Sequence, residues 1–466
     1  MAEPGRDLGW QDLRLGGIAY AVPGGWTATD TTTGQLAVHV APEDAGQDTD
    51  GHRPSCVATV EPCTVSAAEY STQTLSDLIA HLPLLHVLDV APWAPPGIDP
   101  AHGRRVESLH SAGGVPVHAV QYYVVQDGTA FSLTLTCSER QLPLWDEAFW
   151  ACGDRVHLTG PTHHAHPEGT RPPGMPRLAE YATVRWGSPM EALAGIASEQ
   201  PFRSAGPVLQ DAAAALLLDL ATASGRAPRR PAGRRGRIAP DLASASLDEL
   251  VEAGLADVEG VLTAQGRTVT APLRQPAGRA TLTAHHRGRE SRLALFHGAE
   301  GQTLLLGQGS VGEDLLRGPG PRVPGVHVAG DAPGTGATRL DFLPVWLTAS
   351  VAAAWLGLGP AWVTDTGTAT VAFEDFDSRI RDVTPPPAGL PTALALAWTE
   401  PWVVWQAEGD GGSVTYLDAG ESGHHLVESD GAGNVLLTPV PARNVYRHLA
   451  AVLGPAGAGY GVARAD

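Results

Sequence analysis

The chain has 466 residues, 31 basic and 50 acidic, for a formal net charge of -19. Every basic residue is arginine, which excludes chemistry built on a lysine: a Walker A loop or a pyridoxal phosphate Schiff base. An acidic surface also disfavours nucleic acid and anionic membranes unless a local basic patch intervenes.

This length predicts two or three domains. The opening "MAEPGRDLGW" has no apolar run, so no signal peptide is expected and a cytoplasmic location follows. Residues 1–157 read as one unit. "GGIAYAVPGGW", "GQLAVHVAPE" and "SCVATVEPC" alternate like strands. Ser66 and Glu69 form a capping box for a helix running to about His81. "VPVHAVQYYVV" and "TAFSLTLTCS" flank "QDG", a hairpin turn. "LPLWDEAFWACGD" is expected to be a closing helix carrying Leu144, Phe149 and Trp150 toward the sheet. That order predicts an α+β fold, an α/β/α sandwich on an antiparallel sheet. Cys56, Cys63, Cys137 and Cys152 read as buried thiols, with a Cys56–Cys63 disulfide open to an exported protein.

Residues 158–178 are rich in Pro, Gly and His and read as a linker, and His163, His164 and His166 lack the second ligand pair of a zinc site. A larger α+β region, 179–454, is expected next, with a flexible tail at 455–466. It is interrupted at 226–237 by "RAPRRPAGRRGR". Arg226, Arg229, Arg230, Arg234, Arg235 and Arg237 there make an exposed loop, or an electrostatic handle for an acidic partner.

The stretch "LDELVEAGLADVEGVLTAQGRTV", 247–269, has the outline of a winged-helix reader: a helix, a turn, then a strand pair punctuated by glycine. Ser246 and Glu249 are read as the capping box of its helix, and Gly254 as its left-handed end with Leu255 folding back. Asp248, Glu249 and Glu252 on the polar side would repel phosphate, which argues against DNA binding. "FLPVWLTASVAAAWLGLGPAWV", 342–363, approaches membrane length, but its prolines and glycines favour a buried helix from about Val345 to Leu356.

Two stretches, from Leu293 and from Val414, align without gaps. They share Glu300/Glu421, Leu305/Leu426, Gly312/Gly433, Leu315/Leu436, Leu316/Leu437, Arg322/Arg443 and His327/His448. The match suggests an internal duplication with two related halves.

Catalytic signatures are scarce. "GESGHH" departs from GxSxG because His424 stands where the last glycine belongs. Adjacent residues on a strand face opposite ways, so His424 and His425 are not expected to share a metal. "FEDFDSRIRD" places Glu374, Asp375 and Asp377 beside Arg379 and Arg381, which reads as a self-compensated surface. No catalytic residue, cofactor or metal is assigned, and the chain is expected not to be an enzyme. "WTEPWVVWQ" groups Trp398, Trp402 and Trp405. A strand from Pro401 would put Trp402 and Trp405 on opposite faces, serving either core packing or, for an outward ring, contact with a client.

The stretches "YAVPGGW", "SAAEYSTQTLSDL" and "VQYYVVQDGTAFSLTLTC" resemble the PsbP-like sandwich of the LpqN and DcrB type. That resemblance covers about a third of the chain, and its motifs mark a fold rather than a reaction. "ELVEAGLADVEGVLTAQGRTVTAPLRQPAGRATL", "FLPVWLTASVAAAWLGLGPAW", "VTYLDAGESGHHLVES" and "VPARNVYRHLAAVLG" are similar to the EspG family of type VII secretion chaperones. The second resemblance implies a quasi-two-fold build. Together they imply a non-enzymatic cytosolic chaperone or adaptor that binds a hydrophobic, helical export client for a type VII-like secretion system. A protein- or ligand-binding scaffold without a transport role is the alternative, followed by a winged-helix-like regulator.

Overall fold

The computed structural model describes residues 9–29, 33–43, 52–82, 85–159, 206–223, 240–286, 289–307, 337–361 and 367–454. Nearly all of the expected linker, the arginine-rich segment 226–237 and the tail lie outside them, as do His163, His164 and His166. The fold is α+β, built on antiparallel sheets.

The first unit contains β1 (Trp10–Leu15), β2 (Ile18–Pro23), β3 (Thr27–Ala28), β4 (Leu36–Val40) and β5 (Ser55–Pro62), then helix α1 (Ala67–His81). Next come β6 (His86–Pro92), β7 (Gly103–Ala112), β8 (Val115–Gln126), β9 (Thr129–Ser138), helix α2 (Leu142–Asp154) and β10 (His157–Leu158). Seven strands form one antiparallel sheet in the order β3-β4-β5-β9-β8-β7-β6, and β1, β2 and β10 form a small second one. The pleat of β8 divides the unit into layers: Val120, Tyr122 and Val124 join the core under α2, while Tyr123 and Val125 face the side where α1 supplies Leu75 and Ala67. Asp127 and Gly128 both have positive φ, 50° and 77°, as the tight hairpin between β8 and β9 requires. The Ser66–Glu69 capping box is formed in full. All four cysteines are free and buried. Leu142, Trp145, Phe149 and Cys152 fill the inner face of α2, so Leu144 falls on the opposite side and is 61% exposed, against expectation.

In the second unit, β11 (Val208–Gln210) leads into α3 (Asp211–Ala223), α4 (Pro240–Glu252), α5 (Ala264–Val269) and α6 (Ala271–Arg274). Strands β12 (Pro276–His286), β13 (Arg289–Gly298), β14 (Gln302–Gly307) and β15 (Ala337–Pro344) follow, then α7 (Thr348–Leu356). The same order then repeats: β16 (Ala369–Ala372), α8 (Phe373–Arg381), α9 (Thr392–Ala397), β17 (Val403–Gly409), β18 (Gly412–Asp418), β19 (His424–Ser429), β20 (Asn434–Val440) and α10 (Ala442–Leu453). Ten strands make one antiparallel sheet, β11-β15-β14-β13-β12-β17-β18-β19-β20-β16. The order reads alike from either end, with β12 and β17 paired at the centre.

The register shows how far the ungapped comparison holds. Leu295 pairs with Leu305, and Tyr416 with Leu426. His297 pairs with Thr303, and Asp418 with His424. Every residue of the second set is the aligned partner of one in the first. The comparison fails beyond β14, because residues 308–336 separate β14 from β15 whereas 430–433 separate β19 from β20. Registers with β14 and β19 make Leu340 the counterpart of Leu437. Arg443 and His448 therefore correspond to Trp346 and Val351, not to Arg322 and His327, which lie outside the described residues with Gly312, Leu315 and Leu316. Pro344 and Pro441 precede the two equivalent helices, and Gly357 and Gly454 follow them.

Helices α7 and α10 cover the middle of one sheet face, over Leu282, Leu295, Leu305, Trp405 and Tyr416. On the other face α3 and α4 cover the outer first half, and α8 and α9 the outer second half. The apolar stretch before Gly357 is a short 3-10 turn, Val345–Leu347, running into the buried α7. Among the described residues no helix is long and apolar enough to cross a membrane.

The segment 247–269 is not a helix and wing. Helix α4 begins at Pro240, a residue suited to a first turn, so Ser246 lies inside it rather than capping it. The Glu249 carboxylate instead accepts from the Gln210 amide at 2.7 Å. Gly254 is left-handed with φ 71°, and Leu255 folds back, its amide donating to the Leu250 carbonyl. The expected strand pair reduces to one bridge, Ala256 to Leu262, after which the Thr263 hydroxyl caps α5. Gly254→Ala is expected to lower stability by about 1 kcal/mol, because a side chain is strained at this φ; denaturant unfolding would measure it.

Candidate functional site

The three tryptophans of "WTEPWVVWQ" are all buried, at 0%, 3% and 1% exposure for Trp398, Trp402 and Trp405. Trp402 and Trp405 do lie on opposite faces of the sheet, but both faces are covered there. Trp402 stacks edge-on with Trp398 under α8 and α9, and Trp405 packs on Tyr416 under α7 and α10. The expectation of an outward ring is corrected: in this structure none offers a surface to a client. Arg226, Arg229, Arg230, Arg234, Arg235 and Arg237 lie outside the described residues.

Neither "GESGHH" nor the acidic run assembles a reactive group. The His424 Nε2 donates to the Gly359 carbonyl at 3.1 Å, and its Nδ1 stands 3.7 Å from Asp418, beyond hydrogen-bond reach. Burial pushes the Asp418 carboxyl up, countered by His424, and holds His425 down at about 4, aided by His424. At the equivalent position in the first half, His297 Nδ1 meets the Thr303 hydroxyl at 2.9 Å. A polar cross-strand pair thus recurs in both halves, with the histidine on the other strand. In α8, Arg379 is buried over Trp402 and donates to the Trp398 and Glu400 carbonyls, while Arg381 pairs with Asp377 at 2.7 Å. No group of three metal-ligating side chains occurs among the described residues.

Two features remain. The first is an open floor on the helix-flanked side of the large sheet, at its two-fold centre. Pairing aligns Arg292, Thr283, Gln406 and Thr415 in one row across four strands, and Ala294, Thr281, Glu408 and Ser413 in the next. These side chains are exposed or half-buried, and among the described residues no helix lies over them. The Gln406 amide donates to Glu408 at 2.8 Å, and Arg292 pairs with Glu290 at 2.5 Å. The central strands β12 and β17 alternate apolar and polar, so the sequence already marks one face as core and the other as wet.

The second feature is a buried charge cluster where the first unit meets the opposite side of the large sheet. Helix α2 covers only the middle of the small-domain sheet. The edge strand β6 is covered by α10, and Leu109 of the neighbouring β7 joins the same core. A register shift at Leu88 turns that side chain into the core shared with α7 and α10, beside Leu109. The His86 imidazole bonds the Leu358 carbonyl at 2.7 Å, and Arg140 stacks on Trp346.

Three carboxylates, Asp89, Glu107 and Asp146, meet three guanidiniums, Arg105, Arg443 and Arg447, and a fourth, Glu139, lies near His118. Arg105 holds Asp89 at 2.5 Å. Arg447 reaches Asp146 at 2.5 Å and Glu107 at 3.2 Å, and His118 bonds Glu107 at 2.8 Å. Arg105 and Arg443 both lie over the Trp150 ring, at 4.3 and 3.7 Å. The Tyr446 hydroxyl donates to Glu139. Burial would raise Glu107, but Arg447, His118 and Arg105 outweigh it and hold the carboxyl well below the usual range. Burial raises Asp89 and Asp146 against the pull of their arginines, and lowers Arg443 to about 10 with help from Arg105. Sequence reasoning missed this cluster, because its members come from β6, β7, β8, α2 and α10, up to 340 residues apart. The one available signal was asymmetry between the halves: α10 carries Arg443, Tyr446 and Arg447 where the equivalent stretch has Trp346, Ala349 and Ser350.

No protein-family model matches the chain, and no curated protein matches it. Solved structures resemble about a third of it. A Pseudomonas aeruginosa protein of unknown function is 16% identical, with a TM-score of 0.23 over 34% of this chain and 98% of that one. The cyanobacterial PsbP of Synechocystis sp. PCC 6803 is 12% identical, with a TM-score of 0.25 over 34% and 98%. LpqN, involved in cell envelope biogenesis of Mycobacterium tuberculosis, is 16% identical, with a TM-score of 0.25 over 33% and 91%.

Proposed function

We propose that the protein is a non-enzymatic adaptor or chaperone that holds a protein client for export, from the cytoplasm, with the floor of the large sheet as its docking surface. The observation that carries this reading is the double row, polar except for Ala294, across β13, β12, β17 and β18. It is exposed at the centre of a ten-stranded sheet whose flanks are both covered. Such a saddle fits an elongated client element, with Thr281 and Gln406 donating hydrogen bonds and Glu408 accepting them to set its orientation. Half-buried Phe296 of β13 lies on the same face and adds apolar surface beside the rows. The resemblance to secretion chaperones supplies the export role.

The test is affinity capture from the native host with the full chain, compared with a Thr281→Arg/Gln406→Arg variant. A stoichiometric exported partner retained by the parent and reduced at least tenfold by the variant is expected, with unchanged unfolding behaviour. A partner held equally well by both would move the site off the floor, and recovery of no stoichiometric protein would end the chaperone reading.

A further inference from the structure

The floor of the large sheet is two-fold in its backbone but not in its charge. Thr281 faces Glu408 and Thr283 faces Gln406, so the axis passes through the Leu282–Ala407 pair between them. The pairings of β12 with β13 and of β17 with β18 then fix the equivalent floor positions. Thr281 corresponds to Gln406, Thr283 to Glu408, Arg292 to Ser413 and Ala294 to Thr415. In the same frame Arg279 corresponds to Val404 and Phe296 to Leu417.

At these positions every charged residue has an uncharged equivalent. Arg279 and Arg292 stand in the first half and Glu408 in the second, and all three are exposed. The Arg279 guanidinium lies over Phe296, 5.5 Å from the ring, so it turns toward β13 and away from the axis. Arg292 shares its charge with Glu290 at 2.5 Å, and His285 stands 3.9 Å from the same carboxylate. Glu290 and His285 exist on the floor because the β12–β13 hairpin runs past Ala284–Ser291, where its equivalent closes at Gly409–Gly412. Two arginines less Glu290 leave a net positive charge on β12 and β13, against the single negative charge of Glu408 on β17.

A two-fold floor offers a client two poses related by the axis. Thr281 and Gln406 are equivalent and both donate, so they serve either pose. Charge separates the poses: acidic groups of the client meet Arg279 and Arg292 in one and Glu408 in the other. Like charges brought together across an interface suppress the wrong arrangement, whereas exposed attractive pairs add little affinity.

We infer, on the reading that the floor is the docking surface, that it takes its client in one pose only. An acidic stretch of the client lies over β12 and β13, against Arg279 and Arg292, and a basic side chain lies over β17, against Glu408. Arg292 and Glu408 are two strands and one row apart, about 12 Å, so the client segment carries opposite charges at that separation.

The experiment places the photo-crosslinker p-benzoylphenylalanine at Ala294 or at Thr415 in the full chain, expressed in the native host. These positions are equivalent about the axis and both half-buried. Mass spectrometry is expected to find an acidic client peptide joined at Ala294 and a different, basic one joined at Thr415. The inverted variant Arg292→Glu/Glu408→Arg should reduce client capture about tenfold at low salt. Raising the salt should weaken capture by the parent and strengthen capture by the inverted variant, since screening removes attraction in the first and repulsion in the second. The same client peptide joined at both positions overturns the inference. So does capture that is unchanged by the inversion but lost in Thr281→Arg/Gln406→Arg, a result that leaves the floor as the docking surface. Capture unchanged by both variants removes the client from the floor, and recovery of no stoichiometric protein ends the chaperone reading; either takes the single pose with it.

Discussion

Arg447→Ala is expected to destabilise the protein by about 3–5 kcal/mol, the largest effect of any surface-accessible residue at the junction. The side chain is 21% exposed, so screening removes part of its Coulomb energy, but its partners decide the outcome. Glu107 is 1% exposed and its ionised form depends on Arg447, His118 and Arg105 together. Without Arg447 a buried carboxylate keeps only part of its compensation, and Asp146 loses its 2.5 Å ion pair as well. The loss would appear in denaturant unfolding near neutral pH. It should shrink as pH falls below about 4, because Glu107 in the variant can then take a proton. A second substitution, Glu107→Gln, should restore a large part of the loss by removing the stranded charge, although His118 then faces an amide. If the single substitution costs less than about 1 kcal/mol, or the double variant is simply the sum of the two, the cluster is a set of independent surface pairs.

The contrast between this cluster and the fold around it shows which features the sequence makes visible. Local signals were legible. The capping box of Ser66, the left-handed Gly254, the turn at Asp127 and Gly128, and the buried helix before Gly357 are each set by residues within a few positions. The duplication was legible through β13 and β14 because cross-strand pairs preserve spacing. It became illegible at residue 308, where an insertion breaks the alignment and shifts the true partner of β20 to β15. Helix boundaries misled where a side chain had another use. Ser246 and Glu249 have the spacing of a cap, yet Glu249 serves the Gln210 amide. Aromatic grouping misled for a different reason: opposite faces of one strand were legible, but whether each face is covered depends on helices far along the chain. The charge cluster could not be read at all, since each member is an unremarkable polar residue within its own element.

Trp405→Ala should lower stability by about 3–5 kcal/mol. Trp405 is 1% exposed and sits on the central strand β17, where it pairs with Ala284 across the junction of the two halves. Its ring lies 5.0 Å from that of Tyr416. The same core receives α7 from the first half, α10 from the second and Leu88 from the first unit. A hole at this point therefore loosens three packing contacts at once, and interiors relax only partly around such a hole. The central pair is asymmetric, with the small Ala284 opposite the large Trp405, so Ala284→Leu in the Trp405→Ala background is a rational partial rescue. Recovery of more than about 1 kcal/mol in denaturant unfolding would show that the two halves share one continuous core across β12 and β17. A Trp405→Ala loss below about 1.5 kcal/mol would mean that this core is loosely packed at its centre and that the halves are held together elsewhere.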